Sequence, residues 1–556
     1  MLTIKFVEGG AAELRLPDAI KKKGILLMLL VLGGPAVFAQ AIYQPYSYDF
    51  YQKLDADAYS TSTREYTSIK PFFVDDSLLK LHYDSIMNYN SDGKKHSWGY
   101  NKPFNQHQID LKSNNSTFYA DLLPDLTMGK NFSGGKESTS LVSYGLQLGG
   151  TVSNKFYYNL MGFENQANFP EYISTYINQT GIIPGEAQAK KYGLDGYDWQ
   201  YFTAIASYTP VKYLNITFGR DKNFIGDGYR SILLSDYASP YPFLKLTGTL
   251  GNVRYMAMYT YMNDPTDLDS LGQSRKKWGV FHYLDWNVSN RLSIGFYDSV
   301  IWYDRDDDGH YRGFDVTYLN PITFLRPLEA SNGSPDNALI GATAKYKITD
   351  GITAYGEFML DEFESKNFFS DNGSSRNKNG WQLGFRGANL FGVQGLNYLL
   401  ESNNVKPYTY SERGPIENYT EEGEPLAHPW GANFREVVGL LNYSYKRFDF
   451  SGEGDFGYYG LDEDGLNYGK DPFNDYTDPA KTLGNYTGQG LTTHLYYLDS
   501  KIAYILNPKY NLRIELEGLY RDEKNIAFND KTVMISIGLR SSFRAMYTDL
   551  ASFKTH

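Results

Sequence analysis

A period of two, sustained over segments about twice the usual soluble strand length, constrains this chain more than any other feature of its sequence. Near the C-terminus Leu512, Ile514, Leu516, Gly518 and Tyr520 interleave with Arg513, Glu515, Glu517 and Arg521. Phe450, Gly452, Gly454, Phe456 and Tyr458 alternate in the same way with Asp449, Ser451, Glu453 and Asp455. So do Ile352, Ala354, Gly356, Phe358 and Leu360 with Thr353, Tyr355, Glu357 and Asp361. A soluble sandwich also alternates, but its strands average about 5 to 6 residues, whereas a tilted strand crossing a bilayer needs about 9 to 11.

Segments of this kind fall near 117–132, 138–151, 155–168, 197–208, 213–221, 241–250, 252–263, 277–287 and 291–304. They continue near 338–348, 352–363, 378–387, 395–403, 434–446, 448–459, 491–506, 511–522 and 531–545, which predicts eighteen strands. Their connections alternate between tight turns, as at 152–154, 209–212, 288–290, 349–351 and 507–510, and long loops, as at 170–196, 222–240, 305–337, 404–433 and 460–490. An even strand number, short periplasmic turns and long outer loops are the pattern of an all-β, antiparallel outer-membrane β-barrel. A sandwich has no reason to sort its loops by parity. With eighteen strands, both termini are expected in the periplasm.

Composition agrees once the pattern is known. The mean hydropathy of -0.47 is that of a soluble protein, but half of every barrel strand is polar and the outer loops dilute the average further. No apolar run of 18 residues follows the N-terminal region, so a membrane form must be a closed barrel. The absence of cysteine excludes a disulfide scaffold, a CxxC zinc site and an iron-sulfur centre. Fifty tyrosines suggest the two girdles where an amphipathic ring sits at lipid headgroups.

Lys21, Lys22 and Lys23, the apolar run Gly24–Leu32 and Val37-Phe38-Ala39 form a secretory signal peptide, with cleavage expected after Ala39. The mature chain would carry 48 Lys+Arg against 61 Asp+Glu, an acidic balance that speaks against nucleic-acid binding. The organisation expected is a signal peptide at 1–39, a periplasmic or plug segment at 40–116 with one helix near 77–89, a barrel at 117–545 and a tail at 546–556. Ser536, Gly538 and Phe543 partly fit the polar, glycine, aromatic pattern of a terminal barrel strand.

Motifs for catalysis are absent. Gly452 to Gly457 matches GxGxxG, but it lies inside an alternating strand with no helix after it, so it is structural. There is no GxSxG, HExxH or Walker A sequence, and the eight histidines show no metal-ligand spacing. A triad assembled across strands would leave no local motif, but nothing points to one, and no enzyme activity is expected. Asp304, Asp306, Asp308, Gly309 and Asp315 stand at positions 1, 3, 5, 6 and 12 of a calcium loop, with aspartate in place of the closing glutamate. The competing reading is a solvated acidic hairpin tip, since no helices flank it. Calcium is the one cofactor considered.

Arg220, Arg230 and Asp236, with Arg326 and Glu329 downstream, sit in loops punctuated by glycine and proline. Such arginines either pair with carboxylates to fix loops folded into the lumen, the favoured reading, or grip an acidic sugar in a bidentate fashion. Tyr408, Tyr410, His428, Trp430 and Phe434 either stack on sugars or line a rim.

The blocks GRDKNFIGDGYRSILLSDYASPYPFLKL (219–246), YLNPITFLRPLE (318–329), GSPDNALIG (333–341), AYGEFMLDEF (354–363) and PLAHPWGANFREVVGLLNYSYKRF (425–448) resemble the RemB gliding-motility proteins of Bacteroidota. Those are themselves similar to the Wzi-type capsule-assembly outer-membrane proteins. The resemblance covers most of the mature chain, but not 40–116 or 460–490. It implies a non-enzymatic barrel that supports gliding or the assembly and attachment of capsule or exopolysaccharide. The partners it implies are outer-membrane lipid, surface polysaccharide and gliding or secretion machinery. It assigns no binding residue. The alternative is a porin or uptake channel, since barrels of about 16 to 18 strands can leave an aqueous lumen.

Overall fold

The computed structural model describes residues 42–554 apart from 72, 75–76, 89–96, 135–137, 154, 194, 269–271, 307, 320–335 and 362–371. The signal peptide expected at 1–39 therefore lies outside the described residues, as do Arg326 and Glu329.

The predicted long strands form one antiparallel sheet. It contains 20 strands, of which Ile109–Lys112 and Lys190–Tyr192 are short additions at its rims, leaving eighteen in the wall. In order these are β1 (Ser116–Asn131), β2 (Ser138–Val152), β3 (Phe156–Asn168), β4 (Gly196–Val211), β5 (Leu214–Asp221) and β6 (Tyr241–Leu250). Next come β7 (Val253–Leu268), β8 (Ser274–Asn287), β9 (Leu292–Tyr303), β10 (Asn337–Thr349), β11 (Ile352–Leu360) and β12 (Asn379–Gly387). The circuit ends with β13 (Leu396–Val405), β14 (Phe434–Tyr445), β15 (Phe448–Leu461), β16 (Leu491–Asn507), β17 (Leu512–Lys524) and β18 (Asn529–Arg540). Each strand pairs with its sequence neighbour, and β18 returns to β1 with Met534 opposite Asn131 and Leu539 opposite Leu126. Closure leaves no wall edge unpaired, which a hydrocarbon environment requires.

The alternating faces are inverted relative to a soluble protein. Leu383, Leu400, Leu498, Ile535 and Ile537 point outward and are half exposed or more, while Glu401, Glu436, Asp455 and Arg521 point inward and are buried. An outward apolar band around a closed barrel places the protein in the outer membrane. Tyr208, Tyr213, Tyr346, Tyr445 and Tyr504 stand exposed near the short-turn end, as a girdle requires. The tyrosine excess has a second destination that the girdle expectation missed. Tyr59, Tyr237, Tyr283, Tyr297, Tyr410 and Tyr419 are buried inside the barrel, where each hydroxyl finds a hydrogen-bond partner on the wall or on the loops that fill the lumen.

The lumen is filled from three directions. The N-terminal segment closes the short-turn mouth with helices α1 (Ser77–Met87) and α2 (Trp98–Asn105). It is tied to the periplasmic turns: Thr61 N donates to Asp350 at 2.7 Å, Tyr66 Oη to Gly251 O at 3.0 Å, and Arg447 Nη2 to Asn105 at 2.6 Å. Its strand Ile69–Lys70 then pairs with Phe224–Ile225 of the outer loop 222–240, so the two plugs meet inside the barrel.

The C-terminal end departs from expectation. The last strand stops at Arg540 instead of continuing to 545, and Phe543 turns inward to pack edge-on against Phe50 at 5.0 Å. The tail then climbs the lumen. Arg544 pairs with Glu186 at 3.1 Å, Tyr172 Oη donates to Thr548 O at 2.9 Å, and Ser552 donates to Glu523 at the outer end of β17. The N-terminal segment thus lies at the periplasmic mouth, whereas the chain's last described residues reach the level of the outer loops.

Candidate functional site

The loop Gly226-Asp227-Gly228-Tyr229-Arg230-Ser231-Ile232-Leu233-Leu234-Ser235-Asp236 lies inside the barrel. Its apolar triplet Ile232-Leu233-Leu234 is fully buried and forms the centre of the largest apolar cluster, with Tyr410, Tyr419 and Trp430 around it. Its polar groups are met by inward carboxylates of the wall. Glu401 accepts from Tyr229 N at 3.0 Å and Arg230 N at 3.1 Å, and Glu357 accepts from Ile232 N at 3.0 Å. Gly228 is required here, because a Cβ on it would sit 2.2 Å from Glu401 Oε2.

Arg230 is the central cation of the plug. Its guanidinium is 3.4 Å from Glu436, 3.7 Å from Asp455, and in direct hydrogen-bonded contact with Asp549 of the tail. Three elements distant in sequence therefore share one charge. Burial lowers the Arg230 affinity for protons, but Asp549 and Glu436 outweigh it and hold the group fully charged.

Asp227 plays the matching role toward the N-terminal segment. It accepts from Tyr59 Oη at 2.9 Å, Ser68 Oγ at 2.8 Å and the Thr67 hydroxyl, with Lys345 at 3.4 Å. Burial opposes its charge, yet Lys345, Lys70 and these hydroxyls hold the carboxyl well below the usual carboxylate range. Burial, reinforced by the nearby Arg386 charge, pushes Lys70 down to about 7.

The outer loop 406–433 lies over this plug. Tyr410 Oη donates to Ile232 O at 2.8 Å, Tyr419 Oη to Leu233 O at 2.7 Å, and Ser235 N to Leu426 O at 2.8 Å. Tyr408 and Tyr410 hold left-handed backbone conformations, φ 66° and 71°, strained for non-glycine residues and kept by these contacts. His428 is buried, and desolvation pushes its proton affinity below the ordinary value. Neutral, it donates Nε2–H to Glu436 at 2.8 Å and accepts from Trp430 N at 3.1 Å through Nδ1. Trp430 in turn donates to Asp549 O at 3.2 Å.

Of the loop residues singled out from sequence, the structure brings Arg230, Trp430 and His428 together. Asp236 is close by, partly covered by Tyr547, with its carboxyl raised by desolvation. Arg220 is separate: it sits on the outward parity of β5 and donates to Phe202 O at 3.0 Å, away from the lumen. The acidic hairpin tip is divided. Asp306, Asp308 and His310 place ligand atoms within 4.8 Å of one another. Asp304 stands on the outward parity of the wall, where it accepts from Trp278 Nε1 at 2.8 Å, while Asp315 accepts from the N and Oγ1 of Thr317. The twelve-residue calcium spacing is thus not gathered around one point, because its first member is held by rings of the neighbouring strands and its last by the turn at Thr317.

Sequence reasoning missed Asp549 and the wall carboxylates Glu401 and Glu436 as plug anchors. The signal for the tail was Leu550 and Phe553, apolar residues with no place in a solvated terminus.

Wzi of Escherichia coli, an outer-membrane protein involved in group 1 capsule assembly and a carbohydrate-binding β-barrel, superimposes over 90% of this chain and 100% of its own, with a TM-score of 0.53 and 13% identity. The two share a fold. OprD of Pseudomonas aeruginosa aligns over 78% of this chain and 97% of its own, with a TM-score of 0.41 and 9% identity. OccAB2 of Acinetobacter baumannii aligns over 77% and 98%, with a TM-score of 0.41 and 10% identity. No protein-family model matches the sequence, and no curated protein matches it either.

Proposed function

We propose that this protein is a non-conducting outer-membrane barrel that works at its outer face, supporting the assembly or attachment of surface polysaccharide, or of gliding machinery as the resemblance to RemB suggests. The observation that carries this reading is the occupied lumen. A channel needs a continuous water path, and here the loop 222–240, the tail and the N-terminal segment are joined to one another and to the wall by buried ion pairs, and the loop 406–433 is joined to them by buried hydrogen bonds. The Wzi fold, found in a capsule-assembly protein, supports the polysaccharide branch. Tyr311 and Tyr486, exposed on outer loops, offer flat aromatic faces to sugar rings.

Two measurements test it. Purified protein in planar bilayers is expected to give no large, stable currents; steady open-channel conductance would overturn the reading. A deletion strain is expected to lose surface polysaccharide or spreading, and unchanged behaviour in both would remove its support.

A further inference from the structure

We infer that the barrel holds an internal binding site, entered from the periplasmic end, for a neutral sugar ring. A cavity of about 190 Å³ lies between the N-terminal segment, the tail and the inner wall of β1 to β4. For scale, an engineered cavity of roughly 150 Å³ admits benzene. A single pyranose fits that space.

The lining selects the chemistry. Its apolar residues Pro45, Met87, Met161, Phe543 and Ala545 are interspersed with polar ones, whereas an acyl chain needs an unbroken apolar lining. It combines tyrosine rings with amides and hydroxyls, including Tyr46, Tyr157, Gln44, Asn159 and Thr117. Rings cover the C–H face of a sugar, while amides and hydroxyls meet its equatorial oxygens.

One platform is firmly built. The His107 ring stacks on Tyr119 with centroids 4.2 Å apart and planes 16° apart. His107 Nδ1 is 2.6 Å from Asp121, which also accepts from Gln147 Nε2 at 2.9 Å, so the stack cannot swing. Asn159 Nδ2 donates to Tyr119 Oη at 2.9 Å from the other side. Gly149 makes room for the ring, since a Cβ there would lie 2.4 Å from Tyr119 Oη.

Two lining residues carry polar atoms without a partner. Gln44 Oε1 accepts from Tyr83 Oη at 3.0 Å, which leaves Gln44 Nε2 buried and unmatched. Tyr46 Oη is likewise buried and unmatched. Such atoms ordinarily find partners, and hydroxyls of a bound sugar, which both donate and accept, would supply them.

The cavity's two ends differ. Met87, His107 and Lys509 line it at the level of the periplasmic turns. At the other end Lys222 Nζ lies 3.0 Å from where a Cβ on Gly185 would stand, so the loop after β3 caps it from outside. Lys222 there is matched by Asp236 and Arg544 by Glu186 at 3.1 Å, and these paired charges favour a neutral ligand. The site is remote from the outer face and does not depend on the surface reading.

The test uses the full-length barrel in a sugar-free detergent, with glucose and maltose as probes and octanoate as the acyl control, read by saturation-transfer NMR. Saturable sugar binding is expected, weakened about fivefold by Tyr46→Phe, which removes one hydrogen bond to the ligand. Asn159→Trp, which fills the cavity, should abolish binding, and Ile526→Ala at the exposed tip between β17 and β18 should leave it intact. Absence of sugar binding, octanoate binding in its place, or undiminished affinity in a folded Asn159→Trp barrel would overturn the inference. Should Asn159→Trp fail to fold, Tyr46→Phe decides, because it deletes only a hydroxyl that no protein atom uses; unchanged affinity there would also overturn it.

Discussion

Arg386 of β12 and Asp55 of the N-terminal segment, 331 residues apart, meet inside the barrel in two hydrogen bonds of 2.7 Å. The same guanidinium donates to Asp227 O at 2.6 Å, so one wall residue holds the periplasmic plug and the outer loop together.

Removing Asp55 strands a buried charge. Asp55→Ala is therefore expected to destabilise the barrel by about 3 to 5 kcal/mol and to expose the N-terminal segment to trypsin. The double change Arg386→Met with Asp55→Leu should cost much less, because neither charge remains. Gel-shift unfolding in urea checks both; equal losses for the single and the double variant would contradict the pair's role.

Arg230 offers a sharper case, since Glu436, Asp455 and Asp549 all face it. Arg230→Ala leaves three inward carboxylates without their cation, and a loss of at least about 3 kcal/mol should follow. The tail should then detach, so a barrel silent in planar bilayers should begin to flicker. A silent, protease-resistant Arg230→Ala barrel would show that the plug is held by packing alone.

Glu424 gives a pH dependence. It accepts from Gly185 N at 2.7 Å and from Ser239 N and Oγ at 3.0 Å, joining the loop 406–433 to two others. Burial raises its carboxyl to about 8 against an ordinary 4.5, with those hydrogen bonds opposing. The folded state thus keeps a proton that the unfolded chain releases. The stability this contributes is complete below about pH 4.5, declines as pH rises, and is gone above about pH 8. Glu424→Gln, uncharged throughout, should lack that decline. Melting temperatures of both proteins at pH 5 and 8.5 test this, and parallel slopes would refute it.

Tyr311 and Tyr486 are expected to act at the outer face. Replacing both by alanine should lower polysaccharide retention on whole cells several-fold, on the basis of roughly 1 kcal/mol per lost aromatic contact, without altering heat-modifiability on gels. Unchanged retention would move the contact elsewhere on the outer loops.

The wall was legible because a two-sided strand must alternate and a membrane sets its length. Phe450 and Phe456 face lipid and Asp455 faces inward, as the pattern required. The plug was less legible, because loop burial has no period. Arg230 was recognised as a pairing candidate, but its partners Glu436 and Asp549 come from a strand 206 residues away and a tail 319 residues away. Ile232-Leu233-Leu234 was the readable hint: three consecutive apolar residues in a loop need somewhere dry. The tyrosines divided between girdle and interior because a polar-walled lumen, like a headgroup layer, offers a ring both an apolar neighbour and a hydrogen-bond partner.

The path of the tail sets an order on assembly. Strand β18 closes the wall against β1, and the residues after Arg540 immediately run upward inside it as far as Phe553, wedged against Lys470 and Gly431 beneath the outer loops. Arg540 lies at the periplasmic mouth, so those residues enter the lumen through the opening that the N-terminal segment covers. They must therefore take their place before or together with that segment, whose Phe50 packs on Phe543.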